Sequence, residues 1–166
     1  MLTQKHWLNI CQNVTNMALP ILRINFNTRL RSEIISSLFE IEAQKYYESI
    51  GMKVKSASND HDPDLFFEEN QTPVEIKVTK QKPQIKWMGN NVSKRVSDFI
   101  LITWNELHGN TLYEKNMETL VFSVYKTYLI PDNWKKSKEN YNASFLKLSD
   151  IKNIETLINS KHFYSI

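Results

Sequence analysis

The chain has a single cysteine and three glycines in 166 residues. Cys11 alone excludes an intrachain disulfide, and its place in a helix-like stretch reads as a buried core position in a reducing cytoplasm. There is no apolar run of the roughly 18 residues that a membrane-crossing helix needs. There is also no basic, apolar, small-residue leader, so a soluble, unsecreted cytoplasmic protein without membrane partners is expected. The four histidines, His6, His61, His108 and His162, are scattered without metal-ligand spacing. Zinc chemistry and a Ser/His or Cys/His nucleophile therefore lack support. No glycine-rich phosphate loop, repeat, linker or low-complexity tract is present, and no small organic cofactor is expected. Acid is absent from two long stretches. Residues 1–32 carry Lys5, Arg23, Arg29 and Arg31, and residues 77–97 carry Lys77, Lys80, Lys82, Lys86, Lys94 and Arg95.

Between those stretches, residues 33–75 hold ten of the eighteen acidic residues. A net charge of +3 says little by itself. An acidic centre flanked by basic segments, however, suits a protein that brings a metal to a polyanion. With 41% hydrophobic residues the chain is long enough for one domain with a real core.

The most informative stretch runs from Asp62 to Val78. Leu65 to Phe67 reads as a short strand, Glu68 to Thr72 as a polar turn, and Val74 to Val78 as a second strand. Alternation in the second strand puts Val74, Ile76 and Val78 on one face and Glu75 and Lys77 on the other. With Asp64 at the start of the first strand, its carboxylate meets that of Glu75 across the pair. The plainer alternative is a solvated hairpin whose Glu and Lys face water.

Pro63-Asp64, ten residues, then Glu75-Ile76-Lys77 resembles the signature of the PD-(D/E)XK nucleases, a superfamily of restriction endonucleases, Holliday junction resolvases and related DNA-cutting enzymes. The motif is short and specifies the superfamily better than any one member. The resemblance implies a restriction-endonuclease-like α/β core, a mixed central sheet flanked by helices, with the metal site where two central strands diverge. By that resemblance Asp64 and Glu75 hold Mg²⁺, for which Mn²⁺ substitutes, and Lys77 orients or activates the attacking water. A glutamate on the preceding helix commonly joins such sites. Glu40, eleven residues before Gly51, is the expected third catalytic and metal-binding acid, with Glu33 in reserve. The alternative for Glu40 is the exposed edge of an amphipathic helix.

Expected partners follow from the same resemblance: double-stranded DNA, and a second copy of the chain, because one site per chain cuts one strand and a palindromic target calls for a symmetric dimer. The leading expectation is a small type II restriction endonuclease. A junction resolvase or repair nickase is the nearer rival, and a DNA-binding protein without chemistry the more distant one.

The rest of the chain is read by periodicity. Residues 1–27 are expected to form an N-terminal helix over Leu2–Ala18, ended by Pro20, and a connector; the helix packs on the core or makes a dimer or DNA contact. A second helix runs from about 28 to 50, capped by Asn27 or Thr28, with Leu30, Ile34, Leu38 and Ile41 as its buried stripe, widened by Ile35, Phe39, Tyr46 and Tyr47. Met52 to Lys55 alternates as a strand. Asp60, His61 and Asp62 read as turn residues next to Asp64, with His61 the one to test second.

Past Lys77, the mixture of lysines, amides and Trp87 suits a loop or short helix on DNA, with Lys80, Lys82, Lys86, Asn90, Asn91, Ser93, Lys94 and Arg95 as contacts; the alternative is a solvated loop with Trp87 tucked onto the domain. Asp98 to Trp104 reads as a central strand buried on both faces, and Leu120 to Leu129 as another. Residues 28–130 thus form the expected core. Residues 131–166 supply a basic segment around Trp134, a short strand at Phe145–Leu148, and a last helix over Ile151–Ile158 capped by Ser149 or Asp150.

Overall fold

A computed structural model describes residues 2–24, 26–59, 62–89, 96–108, 117–137 and 143–160. Two helices open the chain, α1 (Gln4–Leu22) and α2 (Thr28–Ser49). The strands β1 (Val54–Ser56), β2 (Leu65–Phe67), β3 (Thr72–Lys80), β4 (Lys86–Gly89), β5 (Ser97–His108), β6 (Met117–Leu129), β7 (Lys135–Lys136), β8 (Ser144–Lys147) and β9 (Ile154–Ile158) follow. Six of them form a mixed sheet in the order β1-β2-β3-β5-β6-β9, parallel only between β3 and β5, and β4-β8-β7 form a second sheet. The fold class is therefore α/β with a mixed central sheet. None of the described helices is long and apolar enough to cross a membrane.

Alternation along β3, β5 and β6 sorts side chains between two cores. Val74, Ile76, Ile100, Ile102, Trp104, Phe122 and Val124 face the helices and pack with Trp7, Ile10, Val14, Ile35 and Phe39. Phe39 meets Phe122 edge to face, with ring centroids 5.0 Å apart. On the other side Phe99, Leu101 and Leu129 pack with Trp87, Trp134 and Leu146 of the small-sheet segment. Phe99 to Trp104 of β5 is buried throughout, as its uninterrupted apolar run requires.

Both helices begin as their sequences dictate. Thr3 caps α1 by accepting from the His6 N–H, and Asn27 caps α2, its Oδ1 accepting from the Leu30 N–H at 2.9 Å. Gly51, with φ +85°, turns the chain out of α2, a conformation other residues rarely adopt. Cys11 is fully buried, and burial pushes its thiol pKa up, so it behaves as a small core residue.

Several expectations are corrected. Pro20 does not end α1: it lies within the last turn, exposed, where the lost N–H costs only one bond near a helix end, and the helix runs to Leu22. The buried stripe of α2 is rotated, with Leu30 and Ile41 exposed and Ile35, Phe39, Glu42, Ala43 and Tyr47 buried. The rotation follows from α1, whose Asn13 Nδ2 donates to Glu42 at 2.8 Å and makes burial of that acid tolerable.

The last helix is absent. Residues 148–150 form one 3₁₀ turn, and Ile154–Ile158 pair antiparallel with β6 from Thr127 back to Val124. The open edge of β6 needed a partner, and apolar spacing in so short a run fits either structure. The stretch after Lys77 is likewise neither loop nor short helix at first, because β3 continues to Lys80 and residues 86–89 form β4. Trp87 is not a surface residue: it is completely buried, and its Nε1 donates to the Ile102 carbonyl at 3.1 Å.

Trp87 thus fastens the small sheet to the large one. Trp87→Ala is expected to lower unfolding free energy by about 3–5 kcal/mol, and Trp87→Phe, which keeps most of the volume but loses the hydrogen bond, by about 1 kcal/mol. Urea denaturation checks both; a change within error for Trp87→Ala would contradict the packing.

Candidate active site

The site begins with a difference in strand length. β2 pairs with β3 only over residues 72–74, in the register Leu65↔Val74, which puts Asp64 opposite Glu75. Beyond that point β3 continues to Lys80 on its β5 side, and its other edge is left open by β2. Asp64 closes the junction. Its Oδ2 accepts from the Ile76 N–H at 2.6 Å and from Lys77 Nζ at 2.9 Å. Lys77 Nζ also lies 3.1 Å from Glu75 Oε2. The three side chains singled out by the sequence therefore converge on one ammonium.

Glu75 is 1% exposed, so the solvated hairpin is excluded as a description of its carboxylate. Buried carboxylates persist when paired, and Lys77 supplies the pairing. Burial alone would depress the Lys77 pKa, but Asp64 and Glu75 outweigh it and hold the pKa above the usual lysine value. Lys77 is accordingly a fixed positive charge rather than a neutral base.

Glu40 lies close enough to Asp64, Lys77 and Glu75 to feel their charges, whereas Glu33 lines the adjoining cleft. Burial pushes the Glu40 carboxyl up to about 7, reinforced by the charges of Asp64 and Glu75 and offset by Ser36 and Lys77. Ser36 Oγ donates to Glu40 Oε1 at 3.1 Å. Glu33 is exposed and pairs with Arg29 one turn away at 2.8 Å. Asp62 is engaged in its own turn, accepting from the Ser58 N–H at 3.0 Å and Ser58 Oγ at 2.6 Å, as an Asx-type residue should. His61 lies outside the described residues, as do Asn90, Asn91, Ser93, Lys94 and Arg95.

Along the open edge of β3 runs a cleft of about 620 Å³. The first turns of α2 form one wall through Thr28, Arg29, Ser32 and Ser36; Met88, Gly89 and Ala143 form the other, and Lys77, Lys80 and Lys82 line it from β3 and just past its end. Lys86 instead places its ammonium 4.0 Å over the Phe145 ring. Sequence reasoning missed Arg31 and Glu106. Glu106 Oε1 pairs with Arg31 Nη1, and its Oε2 lies 3.3 Å from Lys80 Nζ.

Among the described residues no group of three or more His, Cys, Asp or Glu side chains is gathered as a ready-made metal cage. Mg²⁺ does not require one, since it is held by one or two carboxylates together with waters and substrate phosphates. Asp64 and Glu75 both already direct an oxygen at a single cation, the Lys77 ammonium, with Glu40 close enough to feel their charge. That donor set fits Mg²⁺ or Mn²⁺. No known family model matches the chain, and no curated protein sequence matches it significantly.

The raised Glu40 pKa has a stability consequence of fixed sign. The folded state holds this proton more tightly than the unfolded chain, so the fold is penalised progressively as pH rises from about 4.5 through 7. Glu40→Gln removes that penalty. In chelator, the variant should match the parent at pH 4.5 and exceed it at pH 8 by on the order of 1–3 kcal/mol, discounted for partial exposure. Denaturant titrations at both pH values check this; equal stability at pH 8 would contradict it.

Proposed function

We propose that this protein is a Mg²⁺-dependent DNA endonuclease with a restriction-endonuclease-like core, most like a small type II restriction enzyme of the PD-(D/E)XK superfamily acting as a cytoplasmic homodimer on double-stranded DNA. The observation that supports this best is the meeting of the Asp64 and Glu75 carboxylates at Lys77 Nζ, each within 3.1 Å, with Lys77 itself lining a cleft that Arg29, Lys80 and Lys82 also line. A surface ion pair has no need of a 1% exposed glutamate or a cleft edged by lysines.

In this reading Asp64 and Glu75 hold the ion, with Glu40 as the third acid. When bound, Mg²⁺ supplies charge neutralisation at the phosphoryl oxygens and makes water a better nucleophile. Lys77, charged and fixed by two carboxylates, orients the attacking water and adds positive charge where negative charge grows on the phosphate. Glu40, whose carboxyl is pushed up to about 7 by burial and by the neighbouring acids in the metal-free protein, would ionise as the cation binds and complete the acid set. Arg29, Lys80 and Lys82 attract the DNA backbone into the cleft. One set of acids per chain cuts one strand, so two copies related by a two-fold axis would cut both.

Purified protein incubated with unmethylated phage DNA is expected to yield discrete fragments with Mg²⁺ or Mn²⁺ and none in chelator. Asp64→Asn, Glu75→Gln and Lys77→Met should each lower cleavage by at least about a hundredfold, with the fold retained by circular dichroism. Cutting confined to four-way or mismatched duplexes would shift the assignment to a structure-specific nuclease. Full activity in any of the three variants would refute the site.

A further inference from the structure

The lysine three residues beyond Lys77 is held as deliberately as Lys77 itself, by groups that lie far apart in the sequence. Lys80 Nζ lies 3.3 Å from Glu106 Oε2 and 5.0 Å from the centre of the Trp104 ring, which fixes both its direction and its height in the cleft wall. Glu106, on β5, is nine-tenths buried and shared with Arg31 of α2, whose Nε also donates to the Phe26 carbonyl at 3.0 Å. Trp104 is in turn held by its Nε1 donating to Ser32 Oγ at 2.9 Å. His108 Nε2 lies 3.5 Å from Glu106 Oε2 at the exposed side of the group. Burial opposes the charge on Glu106, but Lys80 and Arg31 outweigh it and keep the carboxyl below its usual pKa. Two cations on one carboxylate leave the group a net positive charge, and Lys80 is the member that lines the cleft.

The spacing has a meaning for a polyanion. Three residues of strand separate the Lys77 and Lys80 backbones by about 10 Å, too far for both ammonium groups to serve one phosphate, so Lys80 is placed for another phosphate of the same strand. Both residues reach the same cleft because it follows the open edge of β3, where side chains from either face can turn inward. A flexible surface lysine would have to be ordered on binding; this one already is.

We propose that Lys80 is a second phosphate-binding residue, gripping the backbone of the strand held at Asp64 and Glu75 at a phosphate other than the reacting one, and that Glu106 is its positioning residue with Arg31 as the balancing charge. The proposal rests on the reading of the cleft as a nucleic-acid site.

Binding of a fluorescently labelled duplex oligonucleotide, measured by anisotropy in chelator across a series of salt concentrations, tests it. Lys80→Gln is expected to reduce the slope of log affinity against log salt by about 0.9 and to weaken binding about tenfold at 0.1 M salt. Lys80→Arg should restore the slope, and Lys45→Gln, on the far side of α2, should leave it at the parent value. Glu106→Ala and the near-isosteric Glu106→Gln each gain a net positive charge, yet a loosened Lys80 makes them bind more weakly than the parent. Tighter binding by whichever of these folds would overturn the positioning role. An unchanged slope in Lys80→Gln would overturn the phosphate contact while leaving the nuclease reading intact. A parent that shows no salt-dependent DNA binding would remove both.

Discussion

One ammonium group between two carboxylates governs the arrangement of this molecule. Glu75 is buried in the face of β3 away from the helices, on the side where Phe99 and Leu101 pack, and the Lys77 ammonium 3.1 Å from it offsets its charge there. Lys77 is in turn acceptable there only because Asp64 and Glu75 both point at it. A slip of one residue between β2 and β3 would send Val74 and Ile76 out of the helical core and strand both acids, so charge and hydrophobicity demand the same register. Asp64 adds a third requirement by accepting the Ile76 N–H at the place where β2 departs.

That departure creates the cleft. A three-residue β2 beside a nine-residue β3 leaves one edge of β3 uncovered by its hairpin partner, and α2 on one side and β4 with Ala143 on the other stand apart as walls. Because the walls belong to two different hydrophobic cores, the space between them is supported from both sides. Cationic side chains then collect along it, and two of them, Lys77 and Lys80, are immobilised by buried glutamates rather than left in solvent. A rigid arrangement of that kind suits the proposed grip on a phosphodiester strand, where electrostatic preorganisation rather than reorganisation lowers the barrier.

The hairpin and its three polar residues were legible in the sequence because period-two alternation fixes faces and a turn-rich segment fixes the return. Glu40 was singled out through the resemblance to the nuclease superfamily, whose members place a helical glutamate before the first strand, and the structure sets it where the charges of Asp64 and Glu75 reach it. The rotation of α2 was not, because its helical periodicity admits several faces, and the Asn13 bond that lets Glu42 go inside comes from another helix. Trp87 was left between a DNA-contacting segment and a ring tucked onto the domain because lysines surround it; its burial depends on Leu146 and Phe99, both distant in sequence. The final helix failed for a similar reason: Ile154 to Ile158 are apolar enough for either structure, and the unpaired edge of β6 decided. Arg31 and Glu106 lie 75 residues apart, and no local spacing announces such a pair. The only signal was a charged residue ending an apolar strand, which does not name its partner.

In the proposed function Asp64 and Glu75 form a seat for a divalent cation beside Lys77. Crystals grown with Mn²⁺ and measured at the manganese absorption edge test it most directly. An anomalous peak is expected at coordination distance, about 2.1 Å in keeping with a small hard cation, from both an Asp64 and a Glu75 oxygen. A peak elsewhere on the protein, or none there at saturating metal, would contradict it.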